Sequence, residues 1–313
     1  MKQSFIRTLQ NRLLLDKKIG WILLNIIIVT VSCSKNNGYP GESIKNENTA
    51  QGTIVTPFGR MDASKVMTHP STVNVGIFGG RLQERDIVSG KVVKDLGVIK
   101  NASTISRPVR TEQLGTGYTC YAEIPLTDTI KSFKTKWVVP NSPKTSNFTF
   151  YWNGMDGGAF AQPVLQWENG SWTIANWYLL GGSYHHGTFV DVNPGDTVQG
   201  IMDLLSHTDT SYTYKIYFKG HPEADQIVTY PKRSTLVYEV LEPTYGGPVF
   251  DTSSYLPPDP LIKMYNINLT TAKNNISTLN WIIGGNKLKT ASGKNSVVVS
   301  NSATNGEIDF YFR

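Results

Sequence analysis

Cysteine is almost missing from this chain: its 313 residues contain two, Cys33 and Cys120. Cys33 has a separate use, argued below, so Cys120 is left alone and a disulfide-stapled fold is excluded; the core must hold the structure. Long apolar runs are missing too. The longest, Trp21 to Ser32, covers twelve residues and is interrupted by Asn25 and Thr30, short of the ~20 that a membrane-spanning helix needs. No segment after it sustains a 3.6-residue period, which excludes a helical bundle. Charge is sparse at 17% of residues. The net charge of +6 is largely a property of the first twenty residues, whose five bases (Lys2, Arg7, Arg12, Lys17, Lys18) and one acid (Asp16) leave about +2 for the rest. No basic cluster interleaved with aromatics follows, so the sequence pI near 9.1 is no argument for nucleic acid. Asp191, Asp196, Asp203 and Asp209 do not follow a calcium-loop spacing, and nothing resembles a nucleophile elbow or a phosphate loop. His185-His186 has no acidic or thiol partner at a metal-ligand spacing and is expected in a Gly-rich loop, so no metal and no cofactor is assigned.

The N-terminus reads as an export signal: a basic segment, a short apolar segment and a small residue before the cut. Thr30-Val31-Ser32-Cys33 resembles a bacterial lipobox, which makes Cys33 the lipidation site and residues 1–32 the signal peptide. Residues 33–52 are polar and form a flexible tether. The expected location is outside the cytoplasm, anchored to the membrane or cell surface through the lipid.

From Gly52 the texture changes to short β-branched and aromatic runs punctuated by Gly, Pro, Asn and Asp. Many short strands at regular spacing predict an all-β sandwich or barrel. Two runs alternate cleanly. Tyr212, Tyr214, Ile216 and Phe218 share one face of their strand. Leu236, Tyr238, Val240 and Glu242 share one face of another, with Thr235, Val237, Glu239 and Leu241 opposite. Asn193-Pro194-Gly195-Asp196 is a turn, and the Pro-rich stretch from Pro243 to Pro260 is a loop. The domain expected over 53–261 is followed by a C-terminal β extension over 262–313.

The centre of the chain is a motif series. It runs Trp137-Val138-Val139-Pro140, then Trp152-x-Gly154-Met155-Asp156-Gly157-Gly158, then Val164-Leu165-Gln166, then Trp177-Tyr178, then Pro194-Gly195-Asp196-Thr197-Val198. In order and spacing it resembles the eqolisins, secreted glutamic endopeptidases, with the best-matched core over 130–245. The resemblance implies an antiparallel two-sheet jelly roll of the concanavalin A-like kind. It also implies a Gln–Glu dyad on the concave face: a carboxylate takes a proton from water and a fixed amide donates to the oxyanion, in acid. By position Gln166 is the amide, and Trp152 and Asp156 form the support loop. The acid falls on Glu239 in one alignment of the strand; in the other its place is taken by Thr235 and the dyad is broken.

Departures from the family accompany the match. Its Trp-Tyr-Glu-Trp becomes Trp177-Tyr178-Leu179-Leu180, the Thr after its Gln becomes Trp167, and its disulfides are absent. Two functions therefore follow. One is an acid endopeptidase with Gln166 and Glu239 catalytic and Trp152, Asp156, Trp167, Trp177 and Tyr178 lining the cleft for a polypeptide. The other is a module without chemistry that binds glycan or peptide through the same aromatic face.

Overall fold

The computed structural model describes residues 52–57, 59–99, 117–144, 148–158, 160–243, 256–273, 275–284 and 296–312. The expected signal peptide, most of the tether and Cys33 lie outside them.

The described residues form twenty-one strands. In chain order these are β1 (Thr53–Thr56), β2 (Gly59–Asp62), β3 (Val66–Thr68), β4 (Val73–Phe78), β5 (Arg81–Asp86), β6 (Val92–Val98) and β7 (Tyr118–Glu123). There follow β8 (Ile130–Val138), β9 (Thr149–Asp156), β10 (Phe160–Glu168), β11 (Ser171–Leu180), β12 (Ser183–His186), β13 (Val190–Val192) and β14 (Thr197–Thr208). The last are β15 (Ser211–Phe218), β16 (Gln226–Tyr230), β17 (Leu236–Pro243), β18 (Leu261–Thr271), β19 (Ile282–Gly284), β20 (Ser296–Ser300) and β21 (Gly306–Tyr311).

Two large sheets make a sandwich, as the strand pattern predicts. One runs β19-β7-β17-β9-β10-β11-β12-β3, with β13 also pairing β11; the other runs β20-β21-β18-β8-β14-β15-β16-β4-β5-β6. Pairing is antiparallel except where β3 joins β12 and β4 joins β16, both parallel. These two N-proximal strands thus each extend one sheet. Between the sheets lies one core, including Tyr118, Tyr151 and Leu165 from the first and Phe133, Trp137, Tyr214, Ile216 and Phe218 from the second. The alternation read for β15 is met by the burial of Tyr214, Ile216 and Phe218.

The segment after 261 is not an appendage. β18 lies between β8 and β21 in the second sheet, and β19 edges the first. Met264, Ile267, Ile308 and Phe310 enter the shared core. Two turns read as their sequences require. Gly195 has φ +90° in Asn193-Pro194-Gly195-Asp196, and the Asp196 N–H donates to the Asn193 carbonyl at 3.0 Å. The β10–β11 hairpin closes on Asn169-Gly170, both with positive φ (52° and 87°), the demand of the two-residue turn that matches strand twist.

Candidate functional site on the outer face of the first sheet

The Asn169-Gly170 turn fixes register. It sets Glu168 opposite Ser171, Gln166 opposite Thr173 and Gln162 opposite Trp177. Because side chains alternate, Leu165 and Trp167 enter the core between the sheets, while Gln162, Val164 and Gln166 face outward. The outward face is not bare. Phe150, Trp152, Phe160, Val164, Ala175, Trp177, Tyr238 and Val240 form a second buried cluster there, with Val55, Val66 and Phe148 packed against it. That is why all eight residues of β9 are buried: the strand is covered on both sides.

Gln166 is buried in this second layer and held at both ends. The Trp177 indole N–H donates to its Oε1 at 3.3 Å, and its Nε2 donates to Glu168 Oε2 at 2.9 Å. An indole can only donate, so it fixes the amide orientation and aims the NH₂ at the carboxylate. Glu168 is half-buried, and burial raises its pKa, partly opposed by the Gln166 hydrogen bond.

A second carboxyl shares this face. Gln166 pairs with Phe150 on β9, and Phe150 pairs with Glu242 on β17, so Glu242 stands level with Gln166 two strands away. It is buried, and desolvation pushes its pKa up to about 8 against the pull of the Trp152 indole. Two acids therefore share this face with one amide, Glu168 bonded to it and Glu242 two strands across, the half-buried one ionising more easily than the buried one.

Glu239 is not part of this group. It pairs with Asn153 and Cys120, and Cys120 belongs to the core between the sheets. Its Oε1 accepts a hydrogen bond from the Thr135 hydroxyl of the opposite sheet. Full burial holds its pKa well above the ordinary carboxylate range. The expectation that Gln166 and Glu239 converge is therefore corrected: β17 presents odd and even residues to opposite sides, and Glu239 takes the inner one. Thr235, which takes the acid's place in the other alignment and leaves the dyad broken, lies just ahead of β17, where its backbone N–H donates to the Asp156 carbonyl and its carbonyl accepts from the Ile124 N–H.

Two aromatic assignments change for the same reason. Trp167 packs on Trp172 inside the sandwich (ring centroids 5.2 Å apart) and Tyr178 stacks on His185 (5.0 Å), so neither lines the outer face. Trp152 and Trp177 do face outward, and Asp156 lies on the same face by register with Leu236, at the end of β9. Glu168 was missed although its two-residue spacing from Gln166 on one strand signals a common face. Glu242 was placed on the correct face of its strand but not joined to Gln166, because nothing local states the β17–β9–β10 register.

His185 and His186 lie in β12 rather than in a loop, and point to opposite faces. His185 ends a buried chain: Glu84 Oε1 meets His69 Nδ1 at 3.1 Å, His69 Nε2 meets His185 Nδ1 at 2.7 Å, and His185 Nε2 donates to the Leu180 carbonyl at 3.0 Å. Among the described residues no group of three or more His, Cys, Asp or Glu could hold a metal ion. Cys120 is a buried free thiol whose pKa burial pushes up to about 12.

No family model and no curated protein matches the sequence significantly. Among solved structures, the chain is similar to scytalido-glutamic peptidase with a peptide-based transition-state analogue (13% identity, 62% of this chain and 98% of that chain covered, TM-score 0.39). It is similar also to SCP-B, a member of the eqolisin family of peptidases, in complex with the tripeptide Ala-Ile-His (13%, 62% and 96%, 0.36). A toad ovary galectin in complex with thio-digalactose matches more weakly (11%, 42% and 96%, 0.26). At these values the likeness extends no further than the two-sheet β architecture.

Proposed function

We propose that this is an exported, lipid-anchored protein that hydrolyses polypeptide on the outer face around Gln166, with Glu168 in the role the sequence assigned to Glu239. The observation that carries the reading is the 2.9 Å contact between the Gln166 amide and the Glu168 carboxylate, oriented by Trp177. In the reaction, Glu168 takes a proton from water as the water oxygen bonds to the peptide carbonyl carbon. The second N–H of Gln166 Nε2, the one not given to Glu168, donates to the oxyanion that forms. Glu242, protonated below about pH 8, gives a proton to the amine as the C–N bond breaks, and solvent then returns the proton from Glu168 to Glu242. Environments that push two carboxyls apart in pKa are what assign base and acid.

The test is cleavage of denatured casein by the purified protein from pH 2 to 9. Gln166→Ala and Glu168→Gln should each abolish it, while Glu239→Gln should not. Undiminished cleavage by the first two variants removes the assignment.

A second reading, binding of peptide or glycan without chemistry, is favoured by a different observation: the Gln166 donor is already engaged by an anion, and Val55 and Val66 pack on the face. Calorimetric binding of peptide or oligosaccharide without turnover at any pH selects it. For the anchor, Cys33→Ser should move the protein from the membrane to the soluble fraction.

A further inference from the structure

Gln162 is fully buried, yet neither its Oε1 nor its Nε2 has a hydrogen-bond partner. Leaving both ends of a buried amide unpaired is costly, and such a group asks for an explanation. Gln166, four residues on along the same strand, has both ends satisfied. Gln162 pairs with Trp177 and so belongs to the outer face. Thr173, the cross-strand neighbour of Gln166 on that face, also has a buried hydroxyl oxygen without a partner.

Side chains two residues apart on a strand repeat every ~6.7 Å, which places Gln162 and Gln166 about 13 Å apart on one line. An extended polypeptide lying along β10 has the same repeat. An amide presents N–H donors and a carbonyl acceptor, which match the acceptor and donor that a peptide unit offers in return. The face already accommodates an extended segment, since Val55 of strand β1 packs on it.

We propose that Gln162 is a substrate-binding residue. Its amide donates to a carbonyl and accepts from an N–H of an extended polypeptide, about four residues from the bond presented to Gln166. Entry of that polypeptide displaces the packing of Val55. This rests on the hydrolytic reading for the location of the bond, but not for the binding itself.

The experiment compares wild type with Gln162→Leu, which keeps the volume and removes both unpaired groups. Casein-derived peptides of four and eight residues are assayed for kcat/KM. Wild type should prefer the longer peptide, and Gln162→Leu should lose about tenfold on it while leaving the shorter one unchanged. The variant should also unfold at the same or higher urea concentration, because it removes a buried unpaired amide; a lower midpoint would show that the amide is satisfied within the fold and overturn the proposal. An unchanged length preference overturns the proposal while leaving Gln166 and Glu168 in place. If wild type does not cleave, the eight-residue peptide is titrated by calorimetry. Weaker binding to Gln162→Leu then sustains the proposal without hydrolysis; equal binding, or none to wild type, overturns it.

Discussion

Gln166 and Glu239 belong to the same sheet but stand on its opposite faces. Glu239 reaches across the sandwich to the Thr135 hydroxyl, whereas Gln166 turns outward to Trp177 and Glu168. The separation has a measurable consequence. Burial holds the pKa of the Glu239 carboxyl well above the usual range and so favours its neutral form, and Gln has nearly its shape. Glu239→Gln should therefore change unfolding free energy at pH 6 by less than about 1 kcal/mol and leave any hydrolysis intact. Glu168→Gln should lower kcat by about a hundredfold or more with little effect on stability, since Glu168 is only half-buried. Urea titrations of both variants beside the casein assay check this; a hydrolytic loss in Glu239→Gln alone would reverse the assignment.

The buried groups also shape stability against pH. Glu242 has a folded pKa of about 8 against an ordinary 4.5. The folded state keeps a proton that the unfolded chain releases, so this contribution is full below pH 4.5 and is lost as pH rises through 8. Glu239, raised for the same reason, acts in the same direction. His185 works oppositely: burial lowers it from 6.5 to about 3, so its contribution is full above 6.5 and is lost as pH falls toward 3. From pH 6.5 to 8 only the carboxyl limb operates among these three. Stability should fall there by about 1.4 kcal/mol per pH unit through Glu242, the slope easing as pH nears 8, and Glu239 adds in the same direction. Urea midpoints at pH 6.5 and 8 measure it, and Glu242→Gln should flatten the slope. A level wild-type profile would contradict the buried placement.

The sandwich was legible because strands announce themselves locally. The alternation of Tyr212 to Phe218 and of Leu236 to Glu242 gave the correct faces, and Asn193-Pro194-Gly195-Asp196 gave a correct turn. Joining faces across the sheet was not local. That Glu242, not Glu239, lines up with Gln166 depends on the pairing of β17 with β9 and β9 with β10, and moving one residue along a strand changes its face. The aromatic motif misled in a similar way: adjacent Trp177 and Tyr178 divide between the outer cluster and the inner core, as do Gln166 and Trp167. The hairpin that fixes this register was readable in Asn169-Gly170, a dipeptide suited to positive φ at both positions.

The core tolerates little added volume where the two sheets approach. Gly200 on β14 leaves no room for a methyl group: a Cβ there would lie 2.4 Å from Asn153 Oδ1, 2.7 Å from Pro163 and 3.0 Å from Trp137. The Asn153 Nδ2 also donates to the Gly200 carbonyl at 3.2 Å, so a shift that relieves the clash strains a buried hydrogen bond. Gly200→Ala should destabilise the fold by about 1–3 kcal/mol, read as a lower urea midpoint with unchanged slope. An Ala variant as stable as wild type would mean that the sheets are less closely packed here.

Trp177 gives the sharpest test of orientation as distinct from presence. Its indole N–H is the donor that holds Gln166 Oε1 at 3.3 Å, and its ring packs on His186 with centroids 4.6 Å apart. Trp177→Phe keeps much of the aromatic packing but removes the donor. The freed amide can then turn its oxygen toward Glu168, where two acceptors face each other, or leave the carboxylate altogether. On the hydrolytic reading kcat should fall by about tenfold or more as the oxyanion donor is lost from its place, while KM changes little because Gln162 and the apolar face remain. The loss of packing should cost about 1–2 kcal/mol of stability. A variant that loses stability but keeps kcat would show that Trp177 serves the buried outer cluster alone, and that the Gln166 amide does not depend on it for its direction.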